Sequence, residues 1–106
     1  MNKILERLDL TIQRKITESQ KKSYTAKLSK KGTEKCAEKF GEEAIELIVA
    51  TVKKKKKDVI SEAADTLYHM CVLLRSKNIS INEVLSELAS REGISGIEEK
   101  RKRNIK

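Results

Sequence analysis

Between residues 33 and 77 the chain runs without a proline, and its apolar side chains return every three or four positions on either side of one charged block. That period belongs to the α-helix. The stretch therefore reads as two long helices, 33–52 and 58–77, whose linker is so short that they must fold back on each other as an antiparallel hairpin. Proline is absent from all 106 residues and glycine occurs four times, which argues against an all-β fold with its many tight turns. Two more helices flank the hairpin. Over 2–19, Ile4, Leu8, Ile12 and Ile16 recur every four residues with Leu5 beside them. Near the other end, Ser80-Ile81-Asn82-Glu83 has the capping-box spacing and opens a short helix carrying Val84, Leu85, Leu88 and Ala89. Thr33 and Asp58 are the expected N-caps of the long helices, and Asn78 closes the second of them. Residues 19–32 read as a polar connection. The expected architecture is all-α, four helices in one domain over 1–91, followed by a basic tail over 92–106.

Lysine and arginine total 24 against 16 acidic residues, a formal charge of +8. The excess is local. Five lysines at 53–57 and five basic residues in the tail account for all of it, and without those ten the acidic residues outnumber the basic ones. Aromatic residues for stacking on bases are limited to Tyr24, Phe40 and Tyr68, so nucleic acid is an unfavoured partner. No run is long and apolar enough to span a membrane. The first residues are amphipathic rather than signal-like, and the expected location is cytoplasmic. Cys36 and Cys71 fall on apolar stripes and read as small core residues, not as a disulfide or metal pair.

The carboxylates carry the chemistry. On the helix over 33–52, Cys36, Phe40, Leu47 and Ala50 form one stripe, with Glu43 in its middle. A carboxylate among apolar side chains costs several kcal/mol, roughly, unless it is paired or binds a cation. Glu46 lies at the stripe's edge and Glu42 further round. Ile45, Val49 and Val52 make a second apolar patch, and a helix greasy on two sides calls for a partner subunit, here a second copy of the chain. On the next helix Ile60, Ala64, Leu67, Cys71 and Leu74 form the expected core stripe, while Glu62, Asp65 and His69 share the opposite face. Such oxygen ligands on facing helices suit Mg²⁺. Surface carboxylates paired with lysines such as Lys39 would have the same spacing, and the position of Glu43 favours a site. His69 alone reads as a hydrogen-bonded packing residue. Gly41 inside a helix calls for close approach by another helix or by substrate.

Ser23-Tyr24-Thr25-Ala26-Lys27-Leu28, Lys31-Gly32, Lys39-Phe40-Gly41-Glu42-Glu43-Ala44-Ile45-Glu46 and Glu62-Ala63-Ala64-Asp65-Thr66-Leu67-Tyr68-His69 resemble the phosphoribosyl-ATP pyrophosphohydrolase family. The EExxE and ExxD pair is similar to that of the wider all-α superfamily of MazG-like proteins and dimeric dUTPases. Lys22 stands where the family commonly has a glycine. The resemblance, over about residues 4–91, implies a four-helix MazG-like bundle completed by dimerisation. It also implies Mg²⁺-dependent hydrolysis of phosphoribosyl-ATP to phosphoribosyl-AMP and pyrophosphate, the second step of histidine biosynthesis. Carried onto this chain, it makes Glu43, Glu46, Glu62 and Asp65 the metal ligands and Glu42 and Glu43 the catalytic carboxylates. Tyr24, Thr25, Lys31 and Lys39 become the substrate-binding residues. Many relatives are fused to a cyclohydrolase domain that this chain is too short to hold, so a separate phosphoribosyl-AMP cyclohydrolase is the expected functional neighbour. The competing readings are a pyrophosphohydrolase of the same fold that clears other nucleoside triphosphates, and a basic helical module for nucleic acid or a partner protein.

Overall fold

A computed structural model describes residues 3–18, 23–53 and 55–93. Lys22, Lys54 and the tail from 94 onward lie outside those residues. The described chain holds five helices and no strand: α1 (Lys3–Ile16), α2 (Tyr24–Lys30), α3 (Thr33–Lys53), α4 (Lys56–Arg75) and α5 (Ile81–Ser90). The all-α expectation holds, and one helix is added to the expected four. It is α2, inside the stretch read as a polar connection. Ser23 caps it in an extended conformation, its hydroxyl accepting the Ala26 N–H at 3.1 Å. Thr25, Ala26 and Leu28 are buried against the body of the molecule. Gly32, at φ 93°, then takes the left-handed turn that leads into α3.

Two of the expected caps move. Thr33 is already inside α3, and its hydroxyl reaches across to the Ser76 carbonyl at 3.5 Å. Lys55, not Asp58, is the N-cap of α4, and it makes no side-chain capping bond. Asp58 sits in the first turn, where its carboxylate faces the positive end of the helix dipole. At the other end, Asn78 adopts φ 60° and the Ile79 N–H returns to the Leu74 carbonyl at 3.0 Å. The capping box forms as read: the Glu83 N–H donates to the Ser80 hydroxyl at 3.3 Å, and the Ser80 N–H donates to Glu83 Oε2 at 2.8 Å.

α3 and α4 pack as an antiparallel hairpin. The cross-helix bonds fix its sense: Thr33 pairs with Ser76, and Thr66 donates to the Glu43 carbonyl at 3.2 Å, so positions advance along one helix as they retreat along the other. The core gathers at one end of this hairpin. There Ile12, Leu28, Cys36, Cys71, Val72 and Ile81 are enclosed by all five helices. A buried clasp holds that end shut. Asp9 of α1 accepts two hydrogen bonds from the Arg75 guanidinium, both at 2.8 Å, and one from the Ile81 N–H at 3.0 Å.

Among the described residues the far end of the hairpin has no third layer. Ile45, Ile48, Val49 and Val52 of α3 and Ile60 and Leu67 of α4 are exposed. For Ile60 and Leu67 this corrects the expected core stripe; the buried residues of α4 are His69, Cys71 and Val72. The reason is topological: α1, α2 and α5 gather at the closed end, so an apolar face elsewhere on α4 finds no cover among the described residues. Among the described residues no helix is long and apolar enough to cross a membrane.

Candidate functional site

The site lies where α3 and α4 face each other midway along the hairpin. Thr66 sets the register, its one hydroxyl directed at both the Glu62 carbonyl, 2.8 Å, and the Glu43 carbonyl, 3.2 Å. Glu43 and Glu62 are thereby brought opposite one another, with Asp65 one turn beyond Glu62. A carboxylate oxygen from each of Glu43, Glu62 and Asp65 lies within 4.8 Å of the other two. Glu43 is 8% exposed, so the carboxylate on the apolar stripe is buried as a whole residue. Glu62 Oε2 is buried with no hydrogen-bond partner among the described residues. An orphaned acceptor of that kind is costly. Three converging carboxylates of hard oxygen character, one with an unused buried oxygen, fit a divalent cation of the Mg²⁺ type.

The other carboxylates of the motif are placed differently. Glu42 is exposed and pairs with Lys39 at 3.5 Å. Glu46 is also exposed and is not part of the trio. Lys39 ties the two regions together, because its ammonium is equally 3.5 Å from Glu43 Oε1. Tyr24 first, then the two carboxylates, hold Lys39 above its ordinary value, so it is a permanent cation beside the trio.

Beside the trio stands an aromatic cluster. His69 is 6% exposed and its Nδ1 has no partner. Tyr68 meets it edge-on with ring centres 5.0 Å apart, and Tyr24 does so at 5.9 Å. Burial pushes the imidazole below its ordinary value, while Glu43 pulls it back up. Thr25, read from the sequence as a substrate contact, is buried and its hydroxyl is hydrogen-bonded to the Tyr68 phenol. It holds the tyrosine and does not face solvent.

Tyr24, in contrast, is half exposed and lines a cleft of about 220 Å³ between α2 and α3. Lys27 of α2 and Lys31 at its C-cap line one side, and Lys35 and Lys39 of α3 the other. Lys31 and Lys39 were expected from the sequence, whereas Lys27 and Lys35 were missed. The four-residue spacing of 35 with 39 lies on a helix legible in the sequence, whereas that of 27 with 31 has meaning only once α2 is known to be a helix. No atom lies within 4 Å of where a Cβ on Gly41 would sit, so close helix approach does not explain that glycine. The thiols take no part: both are buried, and Cys71 is pushed up to about 11, chiefly by desolvation.

The chain matches the family described as phosphoribosyl-ATP pyrophosphohydrolase over residues 5–92. It is 52% identical over 100 residues to the phosphoribosyl-ATP pyrophosphatase of Dinoroseobacter shibae, an alignment that spans 94% of this chain and 98% of that one. It is 51% identical over 96 residues to the Rhodobacter capsulatus enzyme of the same name, covering 91% and 93% of the two chains. With the Paracoccus denitrificans counterpart it shares 52% over 99 residues, covering 93% and 92%.

Proposed function

The chain belongs to the phosphoribosyl-ATP pyrophosphohydrolase family, and on that premise we propose that it hydrolyses the α–β phosphoanhydride of phosphoribosyl-ATP. Water is consumed, and phosphoribosyl-AMP and pyrophosphate are released, the second step of histidine biosynthesis. The observation that carries the site assignment is the unpartnered buried oxygen of Glu62 within the Glu43, Glu62 and Asp65 trio.

In this reading Glu43, Glu62 and Asp65 would hold Mg²⁺ together with Glu46, which is open to water one turn along α3 from Glu43. When bound, the cation supplies charge neutralisation for the departing pyrophosphate and makes water more acidic. The remaining work falls to this chain's own groups. Glu43 and Glu42 orient the attacking water, and a carboxylate takes up the proton it loses. Lys39, next to both glutamates, and Lys31, across the cleft, bind phosphate oxygens as point charges. The Tyr24 ring lies over the nucleoside, and Thr25 fixes Tyr68 beneath it. The uncovered apolar face of α3 and α4 is buried against a second copy of the chain. The enzyme works in the cytoplasm, and its product is the substrate of a phosphoribosyl-AMP cyclohydrolase.

The test is pyrophosphate release from phosphoribosyl-ATP with and without Mg²⁺, beside ATP, dUTP and other nucleoside triphosphates. Turnover is expected for phosphoribosyl-ATP only, to depend on Mg²⁺, and to disappear in Glu43→Gln with far-UV helicity unchanged. Wild-type turnover by that variant would sink the site assignment, and turnover of another nucleotide alone would sink the substrate.

A further inference from the structure

The cleft beside the carboxylate trio has a composition of its own. Lys27 stands on α2 and Lys31 one turn on at its C-cap, and Lys35 and Lys39 stand one turn apart on α3, so four lysines line one cavity in two pairs. Among the described residues only Glu38 and Glu42 offset them there. Lys35 pairs with Glu38 at 3.2 Å and Lys39 with Glu42 at 3.5 Å. Lys27 and Lys31 make no ion pair with any described carboxylate. The lining thus keeps a charge of two units, that of one phosphate monoester dianion.

The cleft also has a direction. Lys39 stands at the end nearest Glu43 with Tyr24 beside it, and Lys35 stands one turn further from Glu43 along α3. Lys35 lies two helical turns from Glu43, a rise of about 12 Å along α3. A phosphate held by the metal-binding carboxylates is too near Glu43 to reach the far lysines. A second phosphate, carried on the other side of the nucleoside, is at the right remove. On the functional reading above, the substrate has such a group: the 5-phosphate of the added phosphoribosyl unit, which ATP lacks.

We infer that the cleft of Lys27, Lys31 and Lys35 binds the phosphoribosyl 5-phosphate, and so is the element that distinguishes phosphoribosyl-ATP from ATP. The triphosphate sits at Glu43, Glu62 and Asp65, the nucleoside passes Tyr24, and the distal phosphate ends between the two lysine pairs. The inference depends on the proposed substrate and adds to it the part of the chain that reads it.

The experiment compares two substrates, phosphoribosyl-ATP and its analogue without the 5-phosphate, N1-ribosyl-ATP, in wild type and in the double variant Lys27→Ala, Lys31→Ala. Both lysines are exposed, so the fold should survive, and circular dichroism checks it. Charge-assisted contacts of this kind each govern about tenfold in kcat/KM. Wild type should prefer the phosphorylated substrate by about 10- to 100-fold, and the variant should lose most of that preference through KM. Lys27→Arg, Lys31→Arg should retain it. An equal loss on both substrates would overturn the inference, because the lysines would then be holding the triphosphate or pyrophosphate. An unchanged preference would overturn it as well. Failure of wild type to cleave phosphoribosyl-ATP would instead overturn the functional reading on which it rests.

Discussion

Replacing Asp9 with alanine should be among the most damaging single changes available in this chain, although it touches neither the trio nor the cleft. The Asp9 side chain is 5% exposed and that of Arg75 13%. Removing the carboxylate leaves the guanidinium with two donors unpaired away from water, and leaves the Ile81 N–H, in a residue 2% exposed, without an acceptor. Breaking a buried pair from one side costs about 3–5 kcal/mol. A domain of this size has about 5–15 kcal/mol in all, and loses about 4–5 °C of melting temperature per kcal/mol. Asp9→Ala should therefore melt about 12–25 °C lower, measured by circular dichroism at fixed protein concentration and paired with urea titration. Glu38→Ala provides the comparison: its pair with Lys35 is roughly half exposed on both sides and should be worth less than about 0.5 kcal/mol. The double change Asp9→Leu, Arg75→Met removes the orphaned charge together with its partner and should recover most of the loss. An Asp9→Ala variant within about 1 kcal/mol of wild type, or a double variant no better than the sum of the single changes, would refute the reasoning.

Three further outcomes follow from the structure. Because burial holds His69 below its ordinary value of 6.5, the unfolded chain takes up a proton near that pH that the folded chain refuses. Stability should therefore fall as pH drops from about 7 toward 5. His69→Gln should flatten that part of the stability profile in denaturant titrations, and an unchanged slope would show the imidazole titrates as freely folded as unfolded. Ile48→Glu with Val52→Glu places charge on the uncovered face of α3, and sedimentation should show a mass halved relative to wild type. A wild-type chain already monomeric at tens of micromolar would contradict that interface. Gly41→Ala should stabilise α3 by about 1 kcal/mol, since a Cβ there meets nothing, and a destabilised variant in urea would mean the position is crowded.

What could be read in the sequence was whatever depends on one helix at a time. The hairpin helices, the Ser80 capping box and the carboxylate stranded on an apolar stripe are all properties of spacing. The short helix α2 was not readable, because its seven residues bury only Thr25, Ala26 and Leu28 among lysines, too few to display a period. The lysine cleft depends on α2 and was hidden with it. The helical wheel also located an apolar face on Ile60 and Leu67 without saying whether anything covers it; that depends on where α1, α2 and α5 end. The converse holds for Glu62 and Asp65. Their shared face was visible, but their convergence on Glu43 depends on the rotation between α3 and α4 that the Thr66 hydroxyl fixes.

The hairpin also sets the order in which the molecule assembles. Glu43, Glu62 and Asp65 are joined by one short connection, so closing that loop costs little chain entropy and the carboxylates can meet early. The clasp joins residues far apart in sequence, Asp9 with Arg75 and Ile81, and must wait for both ends of the chain to arrive. Contacts that form after the rate-limiting step govern how fast a protein comes apart rather than how fast it forms. The carboxylate trio is thus expected to assemble early, and the lifetime of the native state to depend on the Asp9–Arg75 bond at the closed end.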